Sequence, residues 1–193
     1  MRKIVALFAL CFTASAALAG EITSAYTKFD IDKCKRLSAS VEEAYATFEC
    51  KGYGGLAVYW AEGDLRTSMA YGPNGFEHCS AQQTFGHFNL VVPTIEWRLE
   101  NGKAFAAIQR WRVSDLDDAS KYTSWLGVTR IEKGNSCRVA IIEGAMPNAN
   151  VLAREAADTL ARSFNCQSDT AKVIARKPVP ANELMSGTPC GPE

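Results

Sequence analysis

The residues best equipped for chemistry lie in one stretch, "GPNGFEHCSAQQTFGHFNLVVP" from Gly72 to Pro93, which holds both histidines, His78 and His87, together with Cys79. Long connections in compact domains often carry function. A thiol near an imidazole suits nucleophilic catalysis, with His87 as the base that activates Cys79. The trio His78, Cys79 and His87 could instead ligate a metal, although its spacing fits no standard zinc pattern. A third reading is a surface loop tethered by a disulfide at Cys79. That reading is favoured, because an exported cysteine is normally oxidised and then cannot act as a nucleophile. Catalytic residues, metal ligands and cofactors are therefore assigned as none, and His78 and His87 are kept as candidate binding residues.

Other candidates have simpler accounts. Lys51 to Gly55, "KGYGG", is glycine-rich, but no Gly-Lys-Ser/Thr follows, so a phosphate cradle is not indicated. Glu62 and Asp64 flank Gly63 and read as turn chemistry rather than a carboxylate pair. Asp115, Asp117 and Asp118 lack the spacing and the glycine of a calcium loop and read as a solvated loop.

The N-terminus indicates the compartment in which these groups work. A basic start, Arg2-Lys3, leads into the apolar run Ile4–Ala19, which closes on Ala17-Leu18-Ala19. This is the pattern of a secretory signal cut after Ala19. The run is shorter than the ~20 apolar residues that span a bilayer. The mature chain is thus expected to have no integral membrane segment and to be periplasmic or secreted. Six cysteines remain after cleavage, an even number that implies a disulfide framework. No C-x-x-C occurs. The precursor's formal charge is zero, and without a basic stripe nucleic acid is not expected as a partner.

These groups must be positioned by β-hairpins. Asn101-Gly102 is the strongest turn signal, because a type I′ turn needs positive φ twice. A two-residue loop there sets Glu100 against Lys103, Leu99 against Ala104, Trp97 against Ala106 and Ile95 against Ile108. Arg98 then faces Phe105, within reach of a cation–π contact. The stretch "TIEWRLENGKAFAAIQRWRV" therefore reads as a packed hairpin with Trp97 in the core, not as a recognition surface. A second hairpin turns at Gly63-Asp64, with Leu56, Val58 and Trp60 on the face of Thr67, Met69 and Tyr71. A third turns at Gly134-Asn135 and puts Cys137, Val139 and Ile141 beside Val128. Ala44 to Cys50 reads as a further strand, and Asp30 to Leu37 as a short helix.

After Asn148 the period changes. Leu152, Ala156, Leu160 and Phe164 recur at helical spacing, with Arg154, Asp158 and Arg162 opposite. An amphipathic helix is expected from about Ala149 to Phe164, capped by Asn148 or Asn150. The fold class is therefore α+β: an antiparallel meander of about seven strands, stapled by disulfides, with one C-terminal helix packed on the sheet. Residues 1–19 are the signal, 20–168 a single domain, and 169–193 a polar, proline-rich tail with a short strand at Val173-Ile174. In this arrangement Cys34 pairs with Cys50 and Cys137 with Cys166, leaving Cys79 and Cys190 to pair or stay free.

The segments "AEGDLR…YGPN", "PTIEWRL" and "NANVLAREAADTLARSFNC", with cysteines before the first hairpin and around the helix, resemble a family of small exported bacterial proteins with no assigned activity. The resemblance spans most of the mature chain and implies export and fold, but no catalytic residues. The function expected is that of a non-catalytic envelope or secreted protein that binds a protein partner or small ligand through a sheet face or the Gly72–Pro93 loop. The alternative is a small hydrolase or metal-binding protein built on His78, Cys79 and His87.

Overall fold

Ten β-strands and two α-helices are formed by the residues that the computed structural model describes, namely 20–42, 44–115, 118, 120–187 and 190. The expected signal, residues 1–19, lies outside them. In chain order the elements are β1 (Ile22–Lys28), β2 (Lys35–Ser40), β3 (Tyr45–Lys51), β4 (Ala57–Gly63), β5 (Arg66–Tyr71), β6 (Asn89–Glu100), β7 (Lys103–Ser114), β8 (Tyr122–Glu132), β9 (Asn135–Glu143), α1 (Ala149–Leu160), β10 (Lys172–Ile174) and α2 (Ala181–Leu184).

The chain is mostly β with added helix, as expected, but it is not a single meander. One sheet has the order β2-β3-β4-β5, and the other β1-β6-β7-β8-β9-β10. Every pairing is antiparallel except β10 on β9. The split falls at Gly72–Pro93. No tight turn joins β5 to β6 there, so nothing local holds them in one ladder. The helix expected at Asp30–Leu37 is only a single 3-10 turn, Ile31–Lys33, followed by β2.

Two-residue turns close the three expected hairpins, with positive φ at Asp64-Leu65, at Asn101-Gly102 and at Gly134. Asn101 and Gly102 have φ of 50° and 77°, as the Asn-Gly signal demands. The other two turns sit one residue away from the expected positions, at Asp64-Leu65 and at Lys133-Gly134. Register shifts also occur in the ladders, and two of them alter the expected faces. Between Leu99 and Arg98 the partner shifts from Ala104 to Ala106, so Phe105 is extra and Trp97 pairs with Ala107 rather than Ala106. A second bulge at Val139 sends Ile141 to the face opposite Cys137 and Val139.

The faces build three layers. Phe48, Val58, Met69 and Tyr71 of the smaller sheet meet Ile95, Trp97, Trp111, Trp125 and Ile141 of the larger one across a shared core. On the far side of the larger sheet, Ala106, Ile108, Val128, Ala140 and Ile142 receive α1. The helix buries Ala149, Ala153, Ala156 and Ala157, with Leu152 and Leu160 at the margin and Phe164 beyond its end. It is therefore shorter than expected, seated on an alanine row that permits close approach, and not the last element. Its cap is not a side chain: Asn148 has φ of 59° and makes no side-chain cap bond, while Asn150 accepts from Arg110 Nη2 at 2.9 Å.

The charged side of α1 faces protein rather than water. Arg98 donates to both carboxylate oxygens of Asp158, at 2.9 and 2.7 Å. Arg154 pairs with Glu96 at 2.5 Å and Arg162 with Glu100 at 3.0 Å. Arg162, not Arg98, lies over the Phe105 ring, 4.1 Å from its centroid.

Three cysteine pairs are bonded: Cys34–Cys50, Cys79–Cys190 and Cys137–Cys166, with Cα separations of 4.6, 5.7 and 5.7 Å. Ala171, Ala181 and Met185 from the proline-rich stretch are buried.

Candidate functional site

Two short 3-10 turns, Gly75–Glu77 and Cys79–Ala81, fold the first half of the Gly72–Pro93 segment against the sandwich. His78 is buried there, its Nδ1 3.0 Å from Ser136 Oγ, which in turn lies 2.6 Å from Ser80 Oγ. Cys79 is bonded to Cys190, so its sulfur is not a free thiolate. His87 is half-buried nearer β6, and its carbonyl accepts from Asn89 Nδ2 at 2.9 Å. Among the described residues no three His, Cys, Asp or Glu side chains gather closely enough to hold a metal. His78, Cys79 and His87 thus do not form the ligand set that their proximity in sequence suggested.

The second half of the segment builds a cleft. It opens at the end of the sandwich where the β4–β5 turn meets the start of β6, the end of β7 and the start of β8. Trp60, Leu65, Phe88, Leu90 and Tyr122 supply its apolar walls, and its volume is about 500 Å³. That is the size of a small-molecule site. Leu65, Tyr122, Phe88 and Leu90 are 62, 53, 47 and 43 % exposed, so four large apolar side chains crowd one mouth in water.

The polar groups of the cleft are mostly occupied with one another. Asn89 Oδ1 accepts from Thr67 N and Oγ1 at 3.0 and 2.9 Å, which ties the two sheets together. Asn89 Nδ2 donates to Thr84 Oγ1 and to the Phe85 and His87 carbonyls. Ser114 Oγ donates to Phe88 O at 3.1 Å. Glu62 differs: its half-buried carboxylate has no hydrogen-bond or ion-pair partner among the described residues. The cleft therefore offers a visitor apolar surface and one unpaired negative charge.

Leu65 marks the site in another way. It sits in the left-handed region with φ of 58°, next to Asp64 at 51°. A bulky residue is uncommon there, but the two-residue hairpin turn demands positive φ at both positions and so presents the Leu65 side chain at the mouth. A large apolar residue at a hairpin tip between Asp64 and Arg66 was the available sequence signal. In sequence Glu62 has the look of turn chemistry, and the histidines are the conspicuous residues of the long segment, yet neither histidine lines the cleft. A broader depression of about 720 Å³ follows residues 171–181, but one chain segment lines it and it has no aromatic wall.

A second polar group lies wholly inside. Arg138 sits over the Trp111 ring, 4.3 Å from its centroid, and burial pushes its guanidinium down to about 10. Burial pushes the Tyr71 phenol far up, and its hydroxyl donates to Gln109 Oε1 at 3.3 Å.

Among known proteins the chain matches no family model, and no curated protein or solved structure shows significant similarity. Among the described residues no helix is long and apolar enough to cross a membrane.

Proposed function

We propose that this is an exported, non-catalytic binding protein of the bacterial periplasm or exterior, of the small exported kind that its sequence resembles. Its ligand is a small amphiphile with an apolar body and a cationic head. The apolar body lies between Phe88, Leu65 and Tyr122, and the head meets Glu62. The observation that carries this reading is the cleft, with exposed apolar walls and a single free carboxylate. Three disulfides support an oxidising compartment. The bonded Cys79 and the enclosed His78 weigh against the hydrolase alternative.

Calorimetric titration with decylammonium, below its micelle concentration, tests the proposal. One-site saturable binding is expected, with decanoate weaker. Phe88→Ser, at a half-exposed position, should weaken decylammonium about tenfold, or ~1.4 kcal/mol. Glu62→Gln should erase the preference for the amine over the carboxylate. Absence of saturable binding, or equal binding by wild type and Phe88→Ser, removes the cleft as the site. An envelope protein captured through the cleft in place of any amphiphile would point to a macromolecular partner instead.

A further inference from the structure

Arg138 is 1 % exposed, and none of its three guanidinium nitrogens has a hydrogen-bond partner among the described residues. Among the described residues no carboxylate forms an ion pair with it. The position is built for this side chain. Gly127, across on β8, leaves the space, and a Cβ there would run into the guanidinium itself. Gln83 Oε1 accepts the Arg138 backbone N–H at 2.5 Å and so fixes the strand beneath it.

Three more polar atoms of the same interior have no partner among the described residues: Trp111 Nε1, Thr129 Oγ1 and His78 Nε2. Each is tied to Arg138. Trp111 lies under the guanidinium, and Thr129 is the direct cross-strand neighbour of Arg138. His78 is bonded to Ser136, two residues before Arg138 and therefore on the same strand face. All of these atoms can donate. The guanidinium and the indole can only donate, a hydroxyl can donate, and the imidazole presents Nε2–H when Nδ1 accepts from Ser136. The Tyr71 phenol, whose field reaches Arg138, is neutral, because its hydroxyl is spent on Gln109 and burial opposes ionisation. A buried cation on the same side of the strand as these donors, with no acceptor among the described residues, is unfavourable unless an anion completes it.

We propose that Arg138 anchors an internal site for one small monovalent anion, a halide or a one-carbon carboxylate such as formate, closed over by the segment that carries His78, Ser80 and Gln83. The size limit follows from enclosure, since all three of these residues are at most 2 % exposed. The single charge follows from the lone guanidinium it must balance. The site is separate from the Glu62 cleft, and either proposal can fail without the other.

Thermal unfolding of the whole mature protein, prepared in sodium gluconate, tests it. Sodium chloride, bromide and formate are then substituted for gluconate at constant ionic strength. The expected result is a saturating rise in Tm, about 5 °C at roughly a hundred times the dissociation constant. The salt that saturates at the lowest concentration identifies the source. Arg138→Met should abolish the rise. Should that variant fail to fold, crystals of the wild type grown in sodium bromide supply an independent readout. An anomalous peak within hydrogen-bond distance of the guanidinium supports the site. A wild-type Tm that is the same in all four salts, or a peak-free guanidinium in bromide crystals, overturns it.

Discussion

Trp97 is enclosed on every side. It is fully buried, its Nε1 donates to Thr27 Oγ1 at 2.8 Å, and the Tyr71 ring meets it edge-on with 5.6 Å between centroids. Replacing it with alanine opens a cavity and strands the Thr27 hydroxyl, so Trp97→Ala should cost roughly 3–5 kcal/mol in urea unfolding. Wild-type stability with a lost ligand would instead make it a recognition residue. The packing role of Trp97 was legible from its place in an alternating strand. Its neighbours were less so. Phe105 is squeezed out of the ladder, and a bulge leaves no local trace in a run such as Ala104-Phe105-Ala106-Ala107. Ala106 therefore faces α1 rather than Trp97, although the Asn101-Gly102 turn is where the sequence places it. The Glu62 and Arg138 side chains show a different limit. Both stand in alternating strands like any solvated charge, and only the opposing layer decides that one borders a cleft and the other is shut in.

At the scale of elements, the charges on α1 and β6 match because two periods nearly coincide. Residues 154, 158 and 162 recur every four positions, about 6 Å along a helix. Residues 96, 98 and 100 recur every two, about 6.8 Å along a strand. Glu96, Arg98 and Glu100 thus meet Arg154, Asp158 and Arg162 in alternating sign. The central pair is the sensitive one, since Arg98 is only 7 % exposed. Asp158→Ala leaves that guanidinium uncompensated and should cost roughly 3–5 kcal/mol. The double variant Arg98→Met, Asp158→Leu should recover most of the loss, measured in the same denaturant series. A single variant no weaker than the double would mean the pair is not coupled. The sequence pattern marked a charged stripe on the helix. It could not say that the stripe rests on a strand's rim, because that depends on where the alanine row seats.

For the whole molecule, the disulfides differ in how much chain they restrain. Cys79–Cys190 spans 111 residues, Cys137–Cys166 spans 29 and Cys34–Cys50 spans 16. Loop-closure entropy grows with span, from about 3 kcal/mol for the shortest to roughly 4–5 kcal/mol for the longest. Serine pairs at 79 and 190 should therefore destabilise more than serine pairs at 34 and 50, by about 1–2 kcal/mol in matched urea titrations. Equal losses would place the benefit in local packing rather than in the restrained chain. The adjacency of Cys34 to Cys50 and of Cys137 to Cys166 was readable from short connections. The two-sheet division was not, because it depends on β1 reaching past four strands to pair with β6.

That long reach also sets an order of events. β1 is made first, yet its ladder partner ends at Glu100, and 70 residues separate Thr27 from Trp97. At a synthesis rate of about 5–20 residues per second, β1 waits roughly 4–14 s for a partner. Meanwhile β2 to β5 can close among themselves through short turns. In a chain that folds as it emerges, β1 would thus lack its native partner through much of that emergence, and the Thr27–Trp97 hydrogen bond would form late.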